Sequence, residues 1–218
     1  MKIVAVVPIK LNNERLPGKN TRLLGGRALI QYILETLNSV PEIDAKYVYC
    51  SNSSVCDYLI KGISFLKRPE YLDLPTSNFS QIFAEFSRNI KADVYVYAHA
   101  TAPFVKADTI RKGITAVVSG KYDSAFCAEK LQDFIWHNGK PLNFDAANVP
   151  RSQDLPVYYR ETSGVYVFNK EVFQIYNRRI GKTPFILEIT RREAVDINTL
   201  ADFQLAEHLL DFKEKDDE

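Results

Sequence analysis

The chain opens on a continuous β-branched run, residues 2–7 (KIVAVV), the pattern of a strand buried on both faces. A polar loop follows. Apolar residues then return at helical spacing, with Leu29, Ile30, Ile33, Leu34 and Leu37 on one face. Residues 46–50 (KYVYC) predict a second strand and residues 54–61 a short helix. Residues 79–90 predict an amphipathic helix with Ile82, Phe83 and Phe86 on one side. Residues 93–98 (DVYVYA) predict a third strand, and residues 108–118 a further helix. Strand and helix thus alternate through residues 1–120, which predicts an α/β fold of three layers, α/β/α, around a mostly parallel sheet.

The second half is less regular. Residues 123–129 and 163–168 (SGVYVF) read as strands and residues 170–176 as a short helix. Between the two strands, residues 131–154 are rich in polar, aromatic and Pro residues, an excursion or arm at about 130–156. Thr199 and Asp202 make a capping box for a last helix, with Phe203, Ala206, Leu209 and Leu210 on one face. The charged tail KEKDDE is expected to fray. No repeat or low-complexity linker divides the chain, so residues 1–218 read as one domain carrying a small arm.

A net charge of +1 leaves no basic excess for a nucleic-acid surface, whereas local clusters of cations suit a small anionic ligand. No stretch approaches the roughly 20 apolar residues of a membrane span. Pro8 ends the opening run too early for a signal peptide, and no small-residue cleavage site follows. Cys50, Cys56 and Cys127 lack CxxC spacing, which argues against a disulfide framework or zinc knuckle and for thiols in a reducing, cytoplasmic setting. Several nucleotide and hydrolase motifs are missing: GxGxxG, GxxxxGK[ST] and GxSxG do not occur. The three histidines, His99, His137 and His208, are scattered, so no zinc site is visible, and there is no Asp-x-Asp.

Ligands of α/β sheets bind at the carboxyl ends of strands, so the loop after the first strand, residues 9–20 (IKLNNERLPGKN), is in position to act. Lys10, Arg15, Lys19 and Arg22 concentrate positive charge in and beside it. Asn12-Asn13 can carry the backbone through the left-handed region and aim N–H groups at an anion, and Pro17-Gly18 fixes a second turn. On charge alone, a solvated basic loop is the better account of this segment.

Residues 7–30 (VPIKLNNERLPGKNTRLLGGRALI) resemble the opening of the acylneuraminate cytidylyltransferases, the CMP-sialic acid synthetase and CMP-Kdo synthetase family. That family follows a strand with A-R-x-G-S-K-x-L-P-x-K-N. Leu16-Pro17, Lys19 and Asn20 match it and Lys10 takes the Arg position; Asn12-Asn13 replace Gly-Ser, and Glu14 and Arg15 replace Lys and Gly. The resemblance continues in order. Ser51-Asn52-Ser53 stands where the family has Thr-Asp-Ser, Arg68-Pro69 matches an Arg-Pro, and Thr76, Ser77 and Ser80 match a Ser/Thr-rich helix start. Residues 98–104 (AHATAPF) are similar to Leu-Gln-Pro-Thr-Ser-Pro-Leu, with His99 for Gln. Residues 151–156 (RSQDLP) are similar to Arg-Arg-Gln-(Asp/Glu)-Leu-Pro, and residues 161–166 (ETSGVY) to the family's Asn-Gly-Ala-Ile-Tyr. Residues 195–203 (VDINTLADF) are similar to Ile-Asp-Ile-Asp-Thr-x-x-Asp-Phe.

The resemblance implies a Rossmann-like nucleotidyltransferase sheet with a small dimerisation arm. It implies an enzyme that transfers CMP from CTP to a sugar acid, sialic acid-like or another 3-deoxy-2-keto acid, and releases pyrophosphate, for surface polysaccharide biosynthesis. Lys10, Arg15 and Lys19 would lie on the triphosphate, with Asn12, Asn13 and Asn20 as donors. Arg68, Ser77, Ser80 and Thr101 would surround the nucleoside. Mg²⁺ would be held by Asp196 and Asn198, where the family has two aspartates, and if that segment is extended the two share one face. His99, Gln153, Arg160 and Glu161 would face a small anionic acceptor. His99 is then a base, a binder of the acceptor's anion, or a hydrogen-bonded loop histidine. Asp196 can instead serve as the acid at a helix N-terminus, and Arg160 as half of a surface ion pair. Phe134 and Trp136 are anchors of a homodimer or a local packing cluster. The residues at Glu14, His99 and Asn198 also admit a cytidylyltransferase with a phosphate or phosphonate acceptor, or a nucleotide-binding homologue without turnover.

Overall fold

The β-branched run at the N-terminus becomes β1 (Ile3–Ile9), near the middle of a seven-stranded sheet in the computed structural model, which describes residues 1–211. The charged tail, residues 213–218, lies outside the described residues. In chain order the other strands are β2 (Ala45–Cys50), β3 (Ser64–Lys67), β4 (Val94–Ala98), β5 (Ser124–Leu131), β6 (Tyr158–Asn169) and β7 (Pro184–Ile189). Their order across the sheet is β7-β5-β6-β4-β1-β2-β3. Only β6 runs against its neighbours; β1 is parallel to β2 and β4, β2 to β3, and β5 to β7. The sheet is therefore mostly parallel, as the alternation of elements predicts. The chain leaves β1 on one side for β2 and β3 and returns on the other for β4, so the crevice between β1 and β4 is the place for a ligand.

Among the described residues, five α-helices complete the layers: α1 (Leu29–Asn38), α2 (Phe79–Asn89), α3 (Ala107–Val118), α4 (Lys170–Tyr176) and α5 (Leu200–Asp211). Side chains alternate across a sheet, and here the two faces differ in kind. One is aliphatic: Ala5, Val7, Val48, Val96 and Val167 pack against Ile33 and Leu37 of α1 and Ile110 and Ile114 of α3. The other is aromatic: Tyr95, Tyr97, Tyr166 and Phe168 pack against Phe83 and Phe86 of α2 and Val172 of α4. Many of its rings meet edge to face, as Phe83 and Tyr95 do at 4.8 Å and 90°. A third cluster, of Leu16, Leu24, Leu29, Tyr32, Ile197, Phe203 and Ala206, docks α5 beside the loop that follows β1.

The expected capping box forms: Asp202 Oδ2 accepts from Thr199 N at 2.8 Å, and Thr199 Oγ1 accepts from Asp202 N at 3.3 Å. Residues 53–58 form a 3-10 helix where a short helix was expected over 54–61. β6 begins at Tyr158 instead of residue 163, because its polar first half pairs with the end of β5 beyond the core, Arg160 opposite Glu129. The arm region holds a short ribbon, Trp136–His137 with Lys140–Pro141, and a 3-10 turn at Ser152–Asp154.

Candidate active site

The loop after β1 is shaped by its own turn residues and by one buried amide. Lys19 N donates to Leu16 O at 3.1 Å across Pro17-Gly18, and Gly18 has φ 65°, the left-handed value that a type II turn requires at its third position. Asn20 is buried, and its Nδ2 donates to Lys10 O at 3.0 Å, tying the end of the loop to its beginning. Asn12 and Asn13 do not take positive φ, so the bend expected of them is made at Gly18 instead.

Ile197 brings the distant C-terminal segment to this loop. Its side chain is fully buried in the cluster that also holds Leu16. Its N–H donates to Thr101 O at 2.8 Å, and its carbonyl accepts from Lys19 Nζ at 2.7 Å. Three segments far apart in sequence thereby converge at the carboxyl end of β1 and β4, with Asp196 and Asn198 on either side of the staple. Residues 195–198 are not a strand, yet the two polar side chains meet: Asn198 Nδ2 donates to Asp196 Oδ2 at 2.7 Å. Asn198 Oδ1 accepts from Arg15 at 2.8 Å and lies 3.5 Å from Lys19 Nζ. Its oxygen thus faces two cations, and its nitrogen faces the carboxylate. Burial pulls the Lys19 ammonium below its usual range, Asp196 pushes it back up, and Arg15 pulls it down again.

Three adjoining cavities line this edge. One of about 200 Å³ is bounded by Lys10, Asn13, Glu14, Arg15 and Lys19. A second, of about 220 Å³, shares Lys10 and adds Arg68, Ser77, Tyr97 and His99. The largest, of about 660 Å³, includes Asn12, Ser51, Asn52 and Asp73 and shares Leu74 and Pro75 with the second. Arg68 is buried and ion-paired with Asp73. Ser77 Oγ donates to Tyr71 O at 3.3 Å. Ser80 turns elsewhere, donating to Asn177 O at 2.7 Å.

The acceptor-side residues are less gathered. His99 lies against Tyr97 and Tyr166, with ring centroids 5.2 and 6.2 Å away. Burial lowers its pKa to about 4; Arg179 and Lys19 push the same way and Asp196 opposes them, so His99 is neutral at physiological pH. Glu161 Oε1 accepts from Tyr166 Oη at 2.6 Å. Arg160 is paired with Glu129, and Gln153 is exposed, its carbonyl accepting from Gln132. The structure therefore gathers Lys10, Asn13, Arg15, Lys19, Asp196 and Asn198 tightly and sets Arg68, Ser77 and His99 beside them. Gln153, Arg160 and Glu161 line none of the three cavities.

Among the described residues, the buried side-chain polar atoms without a partner are Asn13 Oδ1, Tyr49 Oη, Arg68 Nε, His99 Nε2 and Asp196 Oδ1. Folded proteins leave few such atoms, and four of these belong to the residues above, as expected where a polar ligand is to bind. No group of three His, Cys, Asp or Glu side chains is arranged to hold a metal among the described residues. Asp196 Oδ1 nevertheless fits one Mg²⁺ bond, because Mg²⁺ in nucleotide sites commonly takes one or two protein carboxylates and completes its shell with phosphates and water.

Residues 4–215 match the family described as cytidylyltransferase. The chain belongs to the cytidylyltransferase family. It is thus a nucleotidyltransferase-family enzyme, with the mostly parallel sheet that this requires. The chain is 25% identical to a CMP-N,N'-diacetyllegionaminic acid synthase of Legionella pneumophila over 99% of both chains. It is 25% identical to 3-deoxy-manno-octulosonate cytidylyltransferase 2 of Hydrogenovibrio crunogenus over 81% of this chain and 78% of that one. It is 23% identical to an N-acylneuraminate cytidylyltransferase of Oncorhynchus mykiss, covering 94% of this chain and about half, 49%, of the relative. Among solved structures, a CMP:2-keto-3-deoxy-manno-octonic acid synthetase complexed with CTP superposes with a TM-score of 0.72 at 15% identity, over 97% of this chain and 99% of the other. A 4-diphosphocytidyl-2C-methyl-D-erythritol synthase of Anaerococcus prevotii gives 0.68 at 14% identity, over 97% and 96%. At these identities the two structures speak for the fold alone.

Sequence reasoning missed Ile197 as the staple and Arg179 as a neighbour of His99. Ile197 was in view only as the middle of Asp-Ile-Asn. Arg179 sits in a turn, NRRIGK, whose one visible signal is a pair of arginines bracketed by Asn177 and Gly181.

Proposed function

We propose that this chain transfers CMP from CTP to a sugar acid, sialic acid-like or another 3-deoxy-2-keto acid, and releases pyrophosphate. The observation that carries the reading is the closure of the β1 loop onto Ile197 and Asn198, which sets Arg15 and Lys19 on the Asn198 amide oxygen, beside the Asp196 carboxylate with its open oxygen. The near full-length likeness to a CMP-legionaminic acid synthase supports it.

In this reaction the acceptor's hydroxyl oxygen bonds to the α-phosphorus of CTP as the bond to the bridging oxygen breaks. The hydroxyl proton is lost to solvent, and pyrophosphate carries the leaving charge. Lys10, Arg15 and Lys19 bind the phosphates and neutralise that charge, the largest contribution a site of this kind makes. Asn12 and Asn13 add polar contacts, Asn20 holds the loop, Arg68, Ser77 and Thr101 hold the nucleoside, and Ser80 acts at one remove through Asn177. Asp196 Oδ1 would hold Mg²⁺, which would supply further neutralisation of the phosphates. Asn198 orients Arg15 and Asp196. His99 enters as a neutral imidazole, a hydrogen-bond partner for the acceptor hydroxyl and not a cation. Gln153, Arg160 and Glu161 border the acceptor. The arm exposes Phe134, Trp136, Leu142 and Val149, which suits a two-fold partner in a homodimer. The enzyme works in the cytoplasm and feeds surface polysaccharide synthesis.

The test is pyrophosphate release from CTP and Mg²⁺ with a panel of sialic-, legionaminic- and Kdo-type acids, run against phosphorylated acceptors. Release with a keto acid is expected. Release with phosphorylated acceptors only, or with none, overturns the reading. Asp196→Ala should abolish metal-dependent turnover while the fold persists, and full activity in that variant refutes the metal assignment.

A further inference from the structure

The turn after α4 sets a cation on the Tyr166 ring, which also faces His99. Both ends of that turn are fixed. Asn177 closes α4 with φ 51°, and its carbonyl accepts from Ser80 Oγ. Gly181 N donates to Ser124 Oγ at 2.8 Å, and the Asp123 carboxylate accepts from Lys182 N at 2.6 Å and Thr183 N at 3.1 Å. A Cβ on Gly181 would fall 2.2 Å from the Asp123 carboxylate, so this close approach requires glycine.

Arg179 lies between those anchors. Its guanidinium carbon is 3.7 Å from the centre of the Tyr166 ring and 5.4 Å from that of Phe79. One nitrogen donates to Tyr166 Oη at 2.9 Å and lies 3.6 Å from Glu161 Oε1. A guanidinium carries five N–H donors, and this is its single hydrogen bond among the described residues. The side chain is 26% exposed, so it is not sealed in the core. Its support, Tyr166, is itself buried, held through its hydroxyl by Glu161, and faces His99 on the same side of the sheet. A planar fork stacked on a rigid ring and left with open donors is the arrangement that recognises a carboxylate or phosphate bidentately.

We propose that Arg179 binds the anionic group of the acceptor, with Tyr166 and Glu161 as positioning residues that set the plane of its fork. This rests on the reading of the chain as a CMP transferase and names the group that selects its second substrate. It also adds the turn after α4 to the acceptor side, for which the family resemblance implies His99, Gln153, Arg160 and Glu161.

The test compares wild type with Arg179→Met, which keeps an aliphatic stem against Tyr166 and removes the charge, and with Arg179→Lys. Each is assayed by pyrophosphate release with the acid acceptor and with its neutral carboxamide, and folding is checked by thermal melting. Arg179→Met should raise the acceptor KM by about 10- to 100-fold while the KM for CTP moves by less than about twofold. Arg179→Lys should recover part of the loss, and the carboxamide should scarcely distinguish the three proteins. An unchanged acceptor KM in a folded Arg179→Met protein, or an equal loss with acid and carboxamide, overturns the proposal and leaves the CMP-transfer reading intact. Turnover of phosphorylated acceptors alone overturns the sugar-acid reading instead, and the same KM comparison on that anion then decides the role of Arg179. No turnover of any acceptor by wild type overturns both.

Discussion

Two cations act on His99 from different parts of the fold, and they are held in opposite ways. Lys19 is 7% exposed and is fixed on a backbone carbonyl, beside an amide and within the field of a carboxylate. Arg179 stands on an aromatic face with one donor used. The first cation is built into the chain: its partner is main chain, and the hydrophobic cluster around Leu16 and Ile197 fixes the distance. The second is positioned by side chains, the Tyr166 ring beneath it and the Glu161 carboxylate beside it. The lesson is a division of labour, in which phosphate handling rests on the scaffold and acceptor choice rests on its decoration.

The largest expected effect tests the first half. Lys19→Met should lower kcat/KM by about 10²–10³-fold with every acceptor alike, since the lost interaction is with the phosphates. Steady-state rates of pyrophosphate release measure it, and a loss confined to one acceptor would break the division proposed here. Next in size is Ile197→Ala. Truncating this fully buried side chain should cost about 2–5 kcal/mol of stability and weaken the convergence of the three segments. Urea denaturation checks the first part, and near wild-type activity in the folded fraction would show that the staple is dispensable.

Asn198→Asp is expected to be milder. It would set a second carboxylate beside Asp196 and give up the Nδ2 bond at 2.7 Å. The Mg²⁺ concentration for half-maximal rate should fall by about 3- to 10-fold, since oxygen ligands of greater charge favour this ion. A magnesium titration that does not move would mean that residue 198 lies outside the metal's reach.

The smallest effect concerns His99. Its pKa is about 4 in the folded protein against 6.5 when free of the fold, so between these values the unfolded chain binds the additional proton. Its contribution to stability is therefore complete above pH 6.5 and is lost as pH falls toward 4. Arg179, Lys19 and Asp196 are the charges acting on it. His99→Gln should flatten part of the decline in melting temperature between about pH 7 and pH 5. An identical decline in the two proteins would place the acid-sensitive group elsewhere.

The central strands and the four longer helices were legible because their apolar runs and periodicities are strong. β3 and β7 were not foreseen, and both are the outermost strands of the sheet. β3 has only four residues, none fully buried, and β7 opens on Pro184, which a sheet tolerates at an edge and which reads in sequence as a loop. In the site, the β1 loop and Asp196-Ile197-Asn198 were legible because each is a contiguous string with its own pattern. The pairing of Arg160 with Glu129 could not be foreseen without the register that sets them opposite, nor could the stacking of Arg179 on Tyr166, which depends on a turn fixed by Ser80, Ser124 and Asp123.

β6 carries one further consequence. Its register breaks between Glu161 and Tyr166. On one side of the break Tyr158, Tyr159, Arg160 and Glu161 are exposed; on the other Val165, Tyr166, Val167 and Phe168 are sealed in the core. A slip of one residue in an unbroken strand would turn every side chain to the wrong face along its whole length. The irregularity works as an expansion joint, so strain or an insertion taken up in the projecting half stops there and the clamped half keeps its alignment. A single strand thus carries two registers, one clamped in the core of the sheet and one projecting beyond it.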